Sequence, residues 1–494
     1  MLKSHDHMWT RLSQLHKDIP LWVADRLAGG ASAPTGATTS STTGATPPKL
    51  GGTGQISHTG QTCQLAQSDA LQEVDPDTAS FAESLLIPIC GDCPDTDSRH
   101  ALQDKGQFLA RQERWSELSQ LIRQADQQRN CTPGGLPAAD LLAYGARADV
   151  VNAVEHALAE RSTKPDAAGE NRILIDGVMA LETLRCEHRQ DSHLTAIVAL
   201  AHIDIAWIWR STAPQVTTSK ASAESHLRRA SAHFERAAAL LEPLKDQSKD
   251  SAFLSAAQCA LFAGQTANTL KVADAYGALI DKDPGNPRPM RALGVQMLPR
   301  TNGCYAALEL EARRTAIRTR KEWGAGGYTW VYFDAMALDE QACERVDASF
   351  FLEGLQDILR TDPSQEMVNL LAAYCAVSLR NGPGGGEQAE QPAQTAQAHQ
   401  PAQTDQADQP AQARRKISEA ARWLIRGHLR ELHPLIWAHA CEGFDNNARI
   451  ASLQRFAAHG QAAALRCIAG VFRDEIDSGH KIAFTPEGID LVSV

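Results

Sequence analysis

The residues from Leu254 to Tyr305 constrain the fold most, because they alternate apolar helical faces with stops that a helix does not cross. Leu254, Ala257, Leu261 and Phe262 fall on one face of a first helix. Leu270, Ala273, Gly277 and Ile280 fall on one face of a second, at spacings of three and four residues. Asp283-Pro284-Gly285-Asn286 ends that second run: proline has no N–H to donate, and glycine and asparagine accept the turn that follows. Met290, Leu293, Gly294 and Met297 then open another helix. A chain punctuated in this way predicts paired helices.

The same punctuation recurs along the chain. Pro243 and Pro284 are 41 residues apart, and Pro284 and Pro363 are 79 apart, about two such units. Pro363 to Pro434 is 71, and setting aside a 30-residue Gln-rich tract leaves 41 again. A period near 40 with two helices per unit predicts stacked helical repeats. Abundant alanine and few β-branched runs also favour helix over sheet.

Read in order, residues 1–28 form an amphipathic peptide with Trp9, Leu12, Leu15, Ile19 and Trp22 as apolar members. It lacks a continuous apolar core and is not expected to act as a secretory signal. Residues 29–62 are Gly, Ala, Ser, Thr and Pro almost without charge, so a disordered linker is expected. Residues 63–97 form an irregular segment carrying Cys90-Gly91-Asp92-Cys93. Helical periodicity covers 98–381, with a bend expected at Gln112-Glu113 and a polar break near Arg147. Residues 382–413, rich in Gln, Pro and Ala, are expected to be a disordered insertion. Helices of the same array resume over 414–478, and 479–494 is an extended tail. The longest apolar run, Thr195 to Trp209, contains His202 and Asp204; it is about 15 residues, too short to span a bilayer. A soluble, cytoplasmic, all-α protein without a membrane partner is therefore expected. Eleven cysteines are scattered, with Cys259, Cys375 and Cys467 on apolar faces, which points to reduced thiols. The net charge of −11 argues against nucleic acid as the main partner.

At Met290-x-x-Leu293-Gly294-x-x-Met297 the chain resembles the first helix of a tetratricopeptide (TPR) repeat, where a small residue lets a partner helix approach. The preceding Asp283-Pro284-Gly285-Asn286 is similar to that family's repeat-ending turn, and Leu141-x-x-Tyr144-Gly145, Gln112-Glu113-Arg114-Trp115-x-x-Leu118 and Phe351-x-x-x-Leu355-x-x-Ile358 are similar in style. No unit holds the whole pattern, and the spacing is nearer 40 than 34 residues. The resemblance implies a TPR-like α-solenoid of stacked antiparallel hairpins. Its groove would bind peptides or proteins, with no cofactor and no chemistry of its own.

Arg314, Arg318 and Lys321, at i, i+4 and i+7, are expected to form one basic stripe suited to an acidic peptide, with Glu309 and Glu311 neutralising part of it. Trp323, Tyr328 and Trp330 either pack between repeats or, if exposed, anchor a partner. The partner-binding candidates are thus Arg314, Arg318, Lys321, Trp323, Tyr328 and Trp330. An alternative reading is an enzyme with a site near His202, Asp204 and the Gly324–Asp334 segment. Gly324-Ala325-Gly326-Gly327 lacks the Lys-Ser/Thr that a phosphate loop needs.

A third reading is zinc held through Cys90 and Cys93, with His100 and Cys131 as the nearest further ligands. His428, His433, His439 and Cys441 cluster, but at spacings that do not share a helix face, so no metal site is expected from them. No Ser-His-Asp order or G-x-S-x-G elbow stands out.

Overall fold

The computed structural model describes residues 83–90, 94–163, 170–213, 220–379, 409–442 and 453–493. The expected N-terminal peptide and linker, Cys93, and most of the expected 382–413 insertion lie outside these residues. The described chain is mostly helical, with nineteen α-helices and a small sheet. Its helices divide at Gln265/Thr266 into two compact units, where a single array over 98–381 was expected.

Unit 1 contains α1 (Pro94–Arg111), α2 (Trp115–Gln128), α3 (Ala138–Thr163), α4 (Glu170–Glu187), α5 (Ser192–Thr212), α6 (Lys220–Leu241) and α7 (Ala252–Ala260). The break between α1 and α2 falls at Gln112-Glu113 as expected, with Glu113 at φ 55°. No break occurs at Arg147, and α3 runs unbroken for 26 residues, because the Arg147 guanidinium has a buried partner described below. The start of α5 is capped by Asp191, which accepts from the His193 and Leu194 N–H groups at 3.0 and 3.1 Å. α5 is buried almost throughout and packs on α2, α3, α4, α6 and α7. At 21 residues it exceeds the expected run and is long and apolar enough to cross a membrane, yet 83% of its apolar window is enclosed by the protein. Asp126 at the end of α2 fixes α7 by accepting from Ser251 Oγ (2.5 Å) and Phe253 N–H (3.0 Å).

Unit 2 begins with α8 (Thr269–Lys282), α9 (Pro287–Gln296) and α10 (Tyr305–Arg318). Asn268 caps α8; Asn286 caps α9, with Pro287 at the first position, where its missing N–H costs nothing. Ala273, Gly277 and Ile280 are buried as expected; Leu270, in the first turn of α8, is 67% exposed instead. α11 (Arg320–Trp323), α12 (Gly326–Leu338), α13 (Glu340–Arg345), α14 (Ala348–Thr361) and α15 (Gln365–Ala373) follow, and α15 continues as a π-helical turn, Tyr374–Ser378. α16 (Gln409–Gly427), α17 (Pro434–Glu442), α18 (Leu453–Val471) and α19 (Arg473–Asp477) complete the helices. α16 already begins inside the segment expected to be disordered.

α12 is the centre of unit 2, packed by α9, α10, α13 and α14. Gly294 of α9 lies where that helix meets α12, and a Cβ there would overlap the Val331 carbonyl oxygen. The close seam is thus with α12, not with the next helix, α10. Asn302, just before α10, accepts from Ala267 N–H just before α8, while Arg318 at the end of α10 reaches Gly277 and Asp281 late in α8. α8 and α10 therefore run in the same direction.

The tail is extended as expected: β2 (His480–Phe484) and β3 (Ile489–Ser493) form an antiparallel hairpin with Phe484 opposite Ile489. Thr485 and Gly488 close its turn by mutual main-chain bonds, with Pro486 at the position that suits its fixed φ. The 63–97 segment supplies β1 (Leu85–Leu86), which pairs in parallel with β2 and gives a three-stranded sheet that an all-α reading does not contain.

Candidate functional site

The proposed basic stripe is interrupted. α10 ends at Arg318, Thr319 breaks the helix, and Lys321 lies exposed on α11 rather than one turn further along α10. Arg314 is half exposed and bonds Glu311 at 2.7 Å. Arg318 is turned toward α8, bonding Asp281 Oδ2 at 2.5 Å and the Gly277 carbonyl at 3.3 Å. Arg313 bonds Glu309 at 2.6 Å and Asp347 at 3.2 Å. The neutralisation by Glu309 and Glu311 is present, and Asp281 and Asp347 add to it. Even so, residues 305–321 carry five cations against two carboxylates. The same outer face holds Leu310 at 49% and Ile317 at 77% exposure, seven residues apart with Arg314 between them.

Trp323, Tyr328 and Trp330 offer no surface to a partner, because all three are buried. Trp323 donates its indole N–H to the Pro284 carbonyl at 2.9 Å and meets Trp330 edge to face. Tyr328 and Tyr332 each donate a hydroxyl to Glu309 Oε2 at 2.8 Å, and the Asp347 N–H donates to the Tyr328 oxygen. Burial raises both phenols above their ordinary range. Glu309, which the sequence offered only as a counter-charge, is the polar hub beneath α12. The glycine segment is a packing bend: Gly324 sits at φ 57°, and the Asp357 carboxylate accepts from the Ala325 N–H at 2.7 Å, where an anion would have bound.

The residues of the enzyme reading belong to different units. In unit 1, His202 and Asp204 face different helices, as their two-residue spacing requires. Asp204 bonds the Arg147 Nε at 2.6 Å, and both side chains are 6% exposed. Burial raises the Asp204 carboxyl, against the pull of Arg147. His202 Nε2 lies 3.1 Å from Glu182, and its Nδ1 lies 2.8 Å from His233 Nδ1. Glu182 accepts two bonds from Arg236, at 2.6 and 2.7 Å, and one from Arg185. Burial works to raise the Glu182 carboxyl, but Arg236, Arg185 and His202 outweigh it and hold it at about 2. Burial first, then His202 and Arg229, lowers His233 to about 4. This assigns donors: His202 Nε2–H donates to Glu182, leaving Nδ1 to accept from His233 Nδ1–H. Glu182 and His233 were not singled out in the sequence, since neither stands in a recognisable motif.

His100 and Cys131 belong to unit 1, and Cys90 to unit 2. Within the His428–Cys441 cluster the histidines part company. His428 packs on Trp423, His439 on Phe456, and His433 lies beside Glu431 at 3.1 Å. Among the described cysteines, Cys259 and Cys375 are buried and Cys467 is half-buried.

Comparison of the chain with family models, with curated proteins and with solved structures returns no match.

Proposed function

We propose that this protein is a non-catalytic helical scaffold whose unit 2, arranged in the manner of a tetratricopeptide array, binds an acidic peptide segment of another protein on the outer face of α10. The observation that carries this is Ile317, a large aliphatic side chain 77% exposed, aligned with Leu310 and flanked by Arg313 and Arg314. Isolated exposed aliphatics are ordinary, but two on one stripe with arginine between them provide apolar contact and carboxylate recognition together. The excess of cations in this stretch, in a chain of net charge −11, favours an acidic occupant. The parallel course of α8 and α10 supports the repeat arrangement.

The test is capture of a stoichiometric partner by the purified full chain, by Ile317→Glu and by Arg314→Gln, with Lys249→Glu on an exposed side chain of unit 1 as control. Binding retained by the control and lost in Ile317→Glu supports the face. Binding unchanged in both α10 variants discards it.

A further inference from the structure

We propose a zinc-type metal site in unit 2 formed by Cys90, Glu431 and His433. It is the one group of three metal-ligating side chains found among the described residues, and their ligand atoms all lie within 4.8 Å of one another. In a tetrahedral zinc site, sulfur sits at about 2.3 Å and nitrogen or oxygen at about 2.0–2.2 Å, so ligand atoms lie roughly 3.3–3.8 Å apart. A contraction of about 1 Å converts the present group into that geometry.

The main chain explains why these three residues meet across 343 positions of sequence. Residues 88–90 run parallel to the chain at Leu432: the Leu432 N–H donates to the Pro88 carbonyl, and the Cys90 N–H donates to the Leu432 carbonyl, each at 2.8 Å. Side chains alternate along extended chain, so Glu431 and His433 flank Leu432 on one face, and Leu432 itself is fully buried. The pairing brings Cys90 beside them.

The loop carrying Glu431 and His433 is held from one turn of α15. Asn369, fully buried, donates to the Glu431 carbonyl at 2.9 Å and accepts from the His433 N–H at 3.1 Å. Gln365 Oε1 accepts from the Arg430 N–H at 2.7 Å and the Glu431 N–H at 3.3 Å. Pro434 follows and restricts His433 itself. Two carboxamides thus fix the backbone of both ligands before any ion arrives, which is how supporting residues raise the affinity of a metal site.

Thiolate, imidazole and carboxylate together suit zinc or cobalt(II) rather than magnesium or calcium, which prefer oxygen alone. Three protein ligands leave a fourth position for water. Glu431 and Pro88 also line a cavity of about 330 Å³ with Gln365, Arg430, Phe484 and Thr485, so a small molecule can approach from that side. On binding, the Cys90 thiol releases its proton to solvent, the His433 ring proton moves from Nε2 to Nδ1, and the bond between His433 and Glu431 gives way to two bonds to the ion.

The test is titration of the purified, metal-free full chain with cobalt(II), followed by displacement with zinc against a chromophoric chelator. The expected result is one ion per chain, with tetrahedral visible bands and a thiolate-to-cobalt charge-transfer band. Cys90→Ser removes the charge-transfer band, and His433→Gln and Glu431→Gln each weaken zinc at least tenfold at unchanged helicity. Asn369→Ala weakens it about 10–100-fold while leaving the charge-transfer band in place at saturation. Glu431 is partly exposed, so its variant keeps the test decisive even where His433→Gln does not fold. Absence of a charge-transfer band in the wild type overturns the site. So does a Cys93→Ser loss equal to that of Cys90→Ser with full affinity in Glu431→Gln and His433→Gln, which would assign the ion to the cysteine pair alone.

Discussion

Each unit is built around one enclosed helix, α5 in unit 1 and α12 in unit 2, and the two helices accommodate polar atoms in opposite ways. α5 points ionisable side chains inward: Asp204 meets Arg147 as an ion pair, and the neutral His202 meets Glu182 and His233. α12 is aromatic, and two of its buried hydroxyls converge on Glu309, while its one carboxylate, Asp334, is less deeply buried and pairs with Arg291 of α9. A buried ion pair loses much of its Coulombic gain to desolvation, so it is close to neutral while intact and costly once halved. A hydroxyl–carboxylate bond carries a smaller penalty and a smaller reward. Unit 1 is therefore the more sensitive to loss of a single polar atom, and unit 2 to a change of shape.

The largest effect that tests this contrast is Asp204→Ala. It leaves the Arg147 guanidinium buried without its carboxylate and is expected to destabilise by about 3–5 kcal/mol in denaturant titration. The double variant Arg147→Met/Asp204→Leu should recover most of that loss. A double variant as unstable as the single would mean the pair contributes more than its own desolvation takes away.

The matching shape test in unit 2 is Gly294→Leu. The obstacle is the Val331 main chain, which has little room to give, so the cost is expected near the upper end of overpacking, about 3 kcal/mol. An unchanged melting temperature would count against the α9–α12 seam.

These two sites also show what was legible in the sequence. The small residue at 294 and the stop at Pro284 were readable because they act locally, through a missing Cβ and a missing N–H. The bend at Gln112-Glu113 was readable for the same reason. Arg147 was misread as a helix break because its partner, Asp204, lies 57 residues away, and nothing near Arg147 announces it. Tyr328 and Trp330 showed their aromatic density but not their side of the helix, since α12 is apolar almost all round, with Asp334 its one charged residue, and Trp323 lies on the four-residue α11, too short to show a period. Cys90 and His433 were each visible alone. Their meeting depends on a parallel pairing of two short extended pieces, which leaves no periodic trace. The same is true of β1 against β2.

A smaller effect separates the hydroxyls from the ions. Glu309→Gln keeps one acceptor for Tyr328 and Tyr332 but weakens the charge-assisted bonds, with Arg313 also losing its partner at 2.6 Å. A loss of about 1–2 kcal/mol is expected from the chemical denaturation midpoint. A loss as large as that of Asp204→Ala would erase the distinction between the two helices.

The smallest effect is one that α5 should show and α12, which carries no histidine, should not. His233 is lowered from 6.5 to about 4 in the folded chain, and His202 is lowered too, so the unfolded state binds more protons between these values. Stability from this source is fully present above about pH 6.5 and is lost as pH falls toward about 4. Glu182, held at about 2 from 4.5, adds a second decline of the same sign, present above about pH 4.5 and lost as pH falls toward 2. The two windows barely overlap, so they can be read separately. His233→Gln retains a donor for His202 Nδ1 without a titrating ring, and should make the upper window shallower by the share of His233, leaving that of His202 and the lower window in place. At pH 6 the difference is expected to be under about 1 kcal/mol, less than the slope of about 1.4 kcal/mol per pH unit that one full proton would produce. Parallel stability curves for wild type and variant between pH 6.5 and 4 would place the acid sensitivity elsewhere. A curve flattened throughout would mean that Glu182 depends on the histidine pair rather than on Arg236 and Arg185, whose three bonds reach it directly.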